Sequence, residues 1–231
     1  MTLDAQVVRV FADESGQWGN PLGIVDAGRI SEDEYQSVAE ELGFSETVFL
    51  DFPDGPRTSV DVRIFTPATE LPFAGHPSVG TAVWLAARGT PVHSLAVPAG
   101  EVRVRVEDSF AWVRARADWA PLFDLRELST PGDVDALNAA DTDEDAGHLY
   151  YWAWADREQT SVRARMFAPS LGVPEDEATG AAAVRLTDAV GRGVSIVQGR
   201  GSHLTTAVLD DGWIELGGRV VADSPRTVTV G

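Results

Sequence analysis

One stretch of this chain occurs twice. Arg63-Ile64-Phe65-Thr66-Pro67 runs through Ala68-Thr69-Glu70 to Leu71-Pro72, and Arg165-Met166-Phe167-Ala168-Pro169 runs through Ser170-Leu171-Gly172 to Val173-Pro174. Arg, Phe and both Pro recur at a single offset, with an apolar residue before each second Pro. Each copy then enters a Gly-bearing turn and an Ala-rich apolar run, residues 75–83 in the first and 178–184 in the second. A long-range echo of strand, turn and helix start predicts two similar lobes. If the lobes face each other, two helix N-termini converge on the cleft, and such ends bind anions.

Composition narrows the chemistry. The chain has 231 residues, 44% of them hydrophobic, and a formal net charge of −18. Such acidity argues against nucleic acid and anionic membrane surfaces as partners. There is no Cys, which excludes disulfides, thiolate metal sites and thiol catalysis. All 18 basic residues are Arg, which excludes a Schiff-base lysine and a Walker A lysine. Met1-Thr2-Leu3-Asp4-Ala5 carries no basic start and no long apolar run follows, so a cytoplasmic location without a membrane span is expected.

Alternation predicts strands at residues 6–12, 21–27, 45–51, 60–66, 92–97, 101–107 and 110–116. A capping box at Ser31 and Glu34 opens a helix that Gly43 ends. Residues 77–88 suit a helix apolar on every side. Residues 118–121 read as a hinge. Beyond it, a helix at 133–140, an acidic loop at 141–145 and strands at 149–155 and 161–167 are expected. A second buried helix within 175–190 follows, then strands at 194–198, 204–209, 213–216 and 226–230. The expected division is an N-terminal lobe over 1–118, joined by the last strand at about 224–231, and a C-terminal lobe over 119–223.

Three side chains could carry chemistry. Glu46 follows a helix stop and opens an apolar strand; it reads as a general acid/base with a pKa raised by apolar walls, or as a solvated strand carboxylate. His76, between Gly75 and Pro77, could hydrogen-bond an anionic substrate or simply tie down a turn. Asp176 reads as a helix N-terminal acid or as a second active-site carboxylate opposite Glu46, in the turn that corresponds to residues 74–76. The remaining histidines (His93, His148 and His203) are too scattered for a metal site. His76-Pro77-Ser78-Val79-Gly80 lacks the first Gly of a nucleophile elbow, which makes a Ser78 hydrolase a poor reading. Trp152 and Trp154 alternate in a strand, where packing or an interface is the ordinary use.

Together these segments resemble the PhzF family, named for phenazine biosynthesis, within the diaminopimelate epimerase-like fold. The resemblance rests on Val10-Phe11, Gly19-Asn20-Pro21, Ser45-Glu46-Thr47-Val48-Phe49 and Arg63-Ile64-Phe65-Thr66-Pro67. It continues through Glu70-Leu71-Pro72-Phe73-Ala74-Gly75-His76-Pro77, Arg165-Met166-Phe167-Ala168-Pro169, Pro174-Glu175-Asp176, Ala178-Thr179-Gly180 and Leu216-Gly217-Gly218-Arg219-Val220. It implies an α+β fold of two pseudo-symmetric lobes, each a mostly antiparallel sheet around a central helix, and a homodimer. It implies an isomerase of secondary metabolism that needs neither metal nor cofactor and takes a small-molecule substrate. In the family a single Glu moves a proton between carbons of a cyclic amino acid or related acid. That role falls to Glu46, with His76 and Asp176 in support. Asn20, Gly75, Ser78, Thr179, Gly180 and Ala181 would bind substrate. The alternative is a non-catalytic small-molecule binder on the same fold. Three departures stand out: Ala181 where the family often has Ser, Glu177 in place of Pro, and a short region at about 119–160.

Overall fold

Strands dominate because alternation dominates: Val102, Val104 and Val106 interleave with Arg103 and Arg105, and Val102 is fully buried. The computed structural model describes residues 2–55, 57–139 and 147–229. In chain order the strands are β1 (Thr2–Ala12), β2 (Asn20–Asp26), β3 (Glu46–Leu50), β4 (Ser59–Asp61), β5 (Arg63–Phe65), β6 (Glu70–Leu71), β7 (Ser94–Val97) and β8 (Gly100–Glu107). Then come β9 (Phe110–Arg116), β10 (Asp124–Glu127), β11 (Leu149–Asp156), β12 (Ser161–Ala168), β13 (Val173–Asp176), β14 (Ser195–Gln198), β15 (Ser202–Val208) and β16 (Trp213–Thr229). The helices are α1 (Tyr35–Leu42), α2 (Gly75–Ala87), α3 (Pro131–Asp135) and α4 (Gly180–Val190). This is the expected α+β class.

Among the described residues the strands join into one hydrogen-bonded system whose main path is β10-β11-β12-β14-β15-β16-β1-β2-β3-β5-β6. The parallel pairs are β2–β3, β4–β7, β10–β11 and β12–β14; the other pairs are antiparallel. β16 joins the two ends of the chain. Its first part pairs with β9 and β15, and from Arg219 onward it pairs with β1. Two separate strands were expected here, at 213–216 and 226–230. The Gly217-Gly218 pair explains the single long one. A Cβ on Gly218 would overlap the ring of Phe11, and one on Gly217 would overlap Trp112. These glycines admit aromatic rings against an unbroken strand rather than turning the chain.

α2 is buried from Gly75 through Leu85. A Cβ on Gly80 would stand 2.6 Å from Leu22 and 2.7 Å from Val10, so the helix lies directly on β1 and β2. This is the helix apolar on every side that the sequence predicts. α4 differs: Asp188 and Ala189 are exposed, and Arg185 donates to the carbonyl of Pro121 at 3.0 Å. Residues 173–176 form β13 instead of opening that helix. Ion pairing explains it: Arg165 grips Glu175 through two hydrogen bonds, at 2.7 and 2.6 Å. Arg63 grips Glu70 in the same two-pronged way. The expected helix at 133–140 is shorter and earlier, because Thr130 and Asp133 form a capping box and Pro131 starts the first turn. The predicted acidic loop at 141–145 lies outside the described residues. A satellite core forms where Tyr35 stacks on Phe49 at 4.2 Å and Phe65 meets both rings edge-on.

Candidate active site

The two copies of the echoed motif deliver the two helix starts to one place. A Cβ built on Gly180 would lie 3.1 Å from the amide nitrogen of His76 and 3.3 Å from the Cα of Gly75. Only two glycines allow so close an approach. In neither helix does the N-cap residue's side chain bond a first-turn amide. At α2 the capping position is Ala74, which has no polar group. At α4 it is Thr179, whose hydroxyl is diverted: it donates to Asp176 Oδ2 at 2.6 Å and accepts from Gln198 Nε2 at 2.8 Å. The N-cap side chains thus leave the first-turn amides of both helices unbonded, and the partial positive charges of the two helix starts add.

Glu46 opens β3, opposite Leu22 of the parallel neighbour β2. His76 is the second residue of α2. Its Nδ1 lies 2.9 Å from Glu46 Oε2, with the imidazole 3% and the carboxylate 20% exposed. His76 Nε2 is buried and has no hydrogen-bond partner among the described residues. Burial is the largest single influence on Glu46 and pushes its pKa up. The charge of His76, its hydrogen bond and a smaller contribution from Ser45 together outweigh burial, so Glu46 sits below the ordinary carboxylate value. The pKa is lowered and not raised, as apolar walls alone would have it, because the imidazole lies against the carboxylate.

Asp176 ends β13. Its Oδ1 accepts from Asn20 Nδ2 at 2.7 Å, and Asn20 also donates to the carbonyl of Ala178 at 3.2 Å. Burial and the nearby Glu46 charge raise Asp176 to about 6, against opposing contributions from Thr179, His76 and Asn20. Register shows which residue it echoes. Ile64 pairs with Leu71 and Met166 pairs with Asp176, so Asp176 takes the place of Leu71 and not of the turn at 74–76. The residue in the place of Thr179 is Ala74.

Asn20, Glu46, Gly75, His76, Asp176, Thr179 and Gly180 therefore belong to one linked cluster. Ala181 lies in the first turn of α4 and is half-buried. Ser78 is buried and donates to the carbonyl of Ala74, one turn back in its own helix, at 2.8 Å. Several contributors escaped the sequence reading. Ser45 donates to Asn20 Oδ1 at 3.3 Å. Gln198, fully buried, donates to the Asp176 carbonyl at 3.0 Å and accepts from Tyr150 at 3.2 Å. It arrives through the parallel β12–β14 ladder, where Ala164 faces Gln198. Trp152 and Trp154 lie elsewhere, meeting edge-on in a groove of about 650 Å³ with Leu186 and Arg192. Among the described residues no cluster of His, Asp and Glu could hold a metal ion. No helix among them is long and apolar enough to cross a membrane.

Comparison with known proteins gives a consistent family. The sequence profile described as phenazine biosynthesis-like protein (PhzC-PhzF) matches residues 8–152. A trans-2,3-dihydro-3-hydroxyanthranilate isomerase of Pseudomonas chlororaphis is 33% identical over 204 residues, covering 71% of this chain and 72% of the relative. An uncharacterized isomerase of Mesorhizobium japonicum is 39% identical over 132 residues, covering 53% of this chain but only 41% of the relative. The crystal structure of a PhzF-family protein from Bacillus anthracis superposes with a TM-score of 0.81 at 20% identity, covering 100% of both chains. A probable proline racemase from Agrobacterium radiobacter matches with a TM-score of 0.66 at 11% identity, over 99% of this chain and 93% of its own. These two likenesses concern the fold.

Proposed function

Because the chain belongs to the phenazine biosynthesis-like (PhzF) family of isomerases, we propose that it moves a proton between two carbons of a small substrate, with Glu46 as the single general acid/base. The substrate is a cyclic or unsaturated acid bearing a carboxylate and an amine. One observation carries this reading: the Glu46–His76 couple at 2.9 Å, its imidazole buried and its carboxylate half-buried, set beside two helix starts whose N-cap residues supply no side-chain cap.

Each group has a task its environment suits. The uncapped amides of α2 and α4 hold the substrate carboxylate. Asp176, flanked by Asn20 and Thr179, takes the ammonium; the cation offsets the burial and the Glu46 charge that together raise Asp176. Glu46, kept ionised by His76, removes a proton from carbon. The C–H electrons shift into the adjacent unsaturation, the double bond moves, and Glu46, whose proton exchanges with solvent while it is carried, delivers a proton to the far carbon. Atoms and electrons balance without any co-reactant. The helix amides stabilise charge that spreads toward the carboxylate during transfer. We further read the chain as two lobes, about 1–118 with the end of the last strand and 119–223, closing on the substrate within a homodimer.

The test is solvent deuterium exchange with a panel of dihydroanthranilate-like and cyclic amino acids. Wild type is expected to place deuterium on substrate carbon. Glu46→Gln is expected to bind equally but exchange at least about 10³-fold more slowly. Equal exchange in that variant removes Glu46 from the mechanism. Binding by wild type with no exchange for any substrate points to the non-catalytic binder.

A further inference from the structure

Glu177 lies between Asp176 and Ala178, and its carboxylate accepts four hydrogen bonds from the 200–202 turn. It accepts the Arg200 amide at 3.1 Å on Oε1 and 3.2 Å on Oε2. It also accepts Arg200 Nε at 3.1 Å and the Ser202 hydroxyl at 2.9 Å. The Glu177 side chain is 15% exposed and that of Arg200 is 71% exposed. An ion pair to so exposed a guanidinium contributes little by itself. The backbone amide and the hydroxyl, in contrast, tie a carboxylate that is mostly out of water to a neighbouring turn.

These bonds close a ring. Ser202 Oγ donates to Glu177 and accepts the Gly19 amide at 3.0 Å. The next residue, Asn20, donates back to Asp176 and Ala178, the two residues flanking Glu177. A second, outer ring adds Arg200, whose guanidinium lies 4.9 Å over the ring of Trp18. The turn is shaped for this closure. Gly199 and Gly201 have φ of 59° and 155°. A Cβ on Gly199 would meet Glu177 O at 2.6 Å, and one on Gly201 would meet the Trp18 indole at 2.7 Å. Trp18 itself holds φ at 61°, and Arg9 pins its carbonyl at 2.8 Å. Strain of this kind persists only when its surroundings over-determine it.

The geometry points to Glu177 as a positioning residue. It locks the 199–202 turn and the 13–20 loop onto the 176–179 connector, and so fixes Asp176 and Asn20 where they meet the substrate amine. This role rests on the reading of the site given above, but half of its test does not. In Glu177→Ala, the amides of Gly19 and Arg200 should exchange with solvent about tenfold faster or more, while core amides such as Val48 and Ile196 keep wild-type rates. With substrate, KM should rise on the order of tenfold with a smaller change in kcat. Glu177→Gln keeps an oxygen acceptor and should retain most of both properties. Wild-type exchange at Gly19 and Arg200 in Glu177→Ala, or acceleration spread evenly over the core, overturns the assignment. A wild type that places no deuterium in any substrate defeats the isomerase reading alone; amide exchange still decides the role of Glu177.

Discussion

His76 holds Glu46 through Nδ1 at 2.9 Å, and its buried Nε2 has no hydrogen-bond partner among the described residues. One ring nitrogen is tied to the carboxylate proposed as the base, and the other is a buried polar atom left over. Burial and His76 pull Glu46 in opposite directions, and His76 prevails. His76→Gln removes the charge but leaves the burial. Glu46 should then titrate above its wild-type position, and the acid limb of the exchange-rate profile should move to higher pH. The rate should fall about 10²-fold, since proton transfer from a misoriented base loses most of its advantage. A pH profile of deuterium incorporation measures both; an unmoved acid limb would show that His76 does not set the Glu46 charge.

Asp176 and Glu46 lean on stability from opposite sides. Glu46 is lowered when folded, so its contribution is present above the unfolded value and lost as pH falls through the folded one. Asp176 is raised from 3.8 to about 6, so between those values the native state holds a proton that the unfolded chain has released. Its contribution favours folding in acid and declines as pH rises through about 6. Asp176→Asn cannot ionise and lacks that decline. Relative to wild type, the variant should gain roughly 1–3 kcal/mol in unfolding free energy between pH 4 and pH 8. Urea unfolding of both proteins at the two pH values gives the difference; parallel curves would contradict a raised Asp176.

The abutting helix starts predict a sharp steric response. In Gly75→Ala the new methyl overlaps the end of the fully buried Leu216 side chain. In Gly180→Ala it also meets backbone, 3.1 Å from the His76 nitrogen and 3.3 Å from the Gly75 Cα. Each should cost about 1–3 kcal/mol, with Gly180→Ala the more damaging to activity because backbone cannot step aside. Leu216→Ala alone should cost about 2–5 kcal/mol as a cavity. Combined with Gly75→Ala it should cost clearly less than the sum, because each change relieves the other. A double-mutant cycle on unfolding free energies tests this; strict additivity would separate Leu216 from the helix start.

Much of this arrangement is legible in the residues. The echo of Arg, Phe and Pro foretells two equivalent helix starts, and the Gly-His-Pro and Ala-Thr-Gly turns foretell what they carry. Glu46 stands out because a carboxylate rarely opens an apolar strand. What the echo conceals is its own cause. The repeated Arg grips a Glu and stacks on its Phe: Arg63 lies 5.5 Å over Phe65, and Arg165 lies 4.9 Å over Phe167. The Glu does not recur at the same offset, because the intervening turns differ in length. Glu70 follows its Arg by 7 residues and Glu175 by 10. The first turn closes through the Thr66 hydroxyl and the second through a short helical turn ended by Gly172. Gln198, Ser202 and Arg200 escape notice for another reason. Strand pairing alone brings them to the site, and no local pattern marks a residue whose role depends on a distant ladder.

The two Arg–Glu struts should differ in what they contribute, although the motif is shared. The Arg63 side chain is 38% exposed, and its remaining donor reaches Glu32, itself 76% exposed, at 3.1 Å. Solvent screens both bonds, so Arg63→Met should cost about 1 kcal/mol or less. Arg165 is 14% exposed. Besides Glu175 it donates to the carbonyl of Leu137, and at 3.4 Å to that of Asp135. Arg165→Met leaves a partly buried carboxylate and a main-chain acceptor without their donor, at a cost of about 2–4 kcal/mol. It should also release β13, which carries Asp176, so activity should fall with stability in this variant and hold in Arg63→Met. Urea midpoints and exchange rates for the pair decide the matter. Equal losses would mean that burial does not distinguish the struts, and that the resemblance between the two copies extends to their energetics.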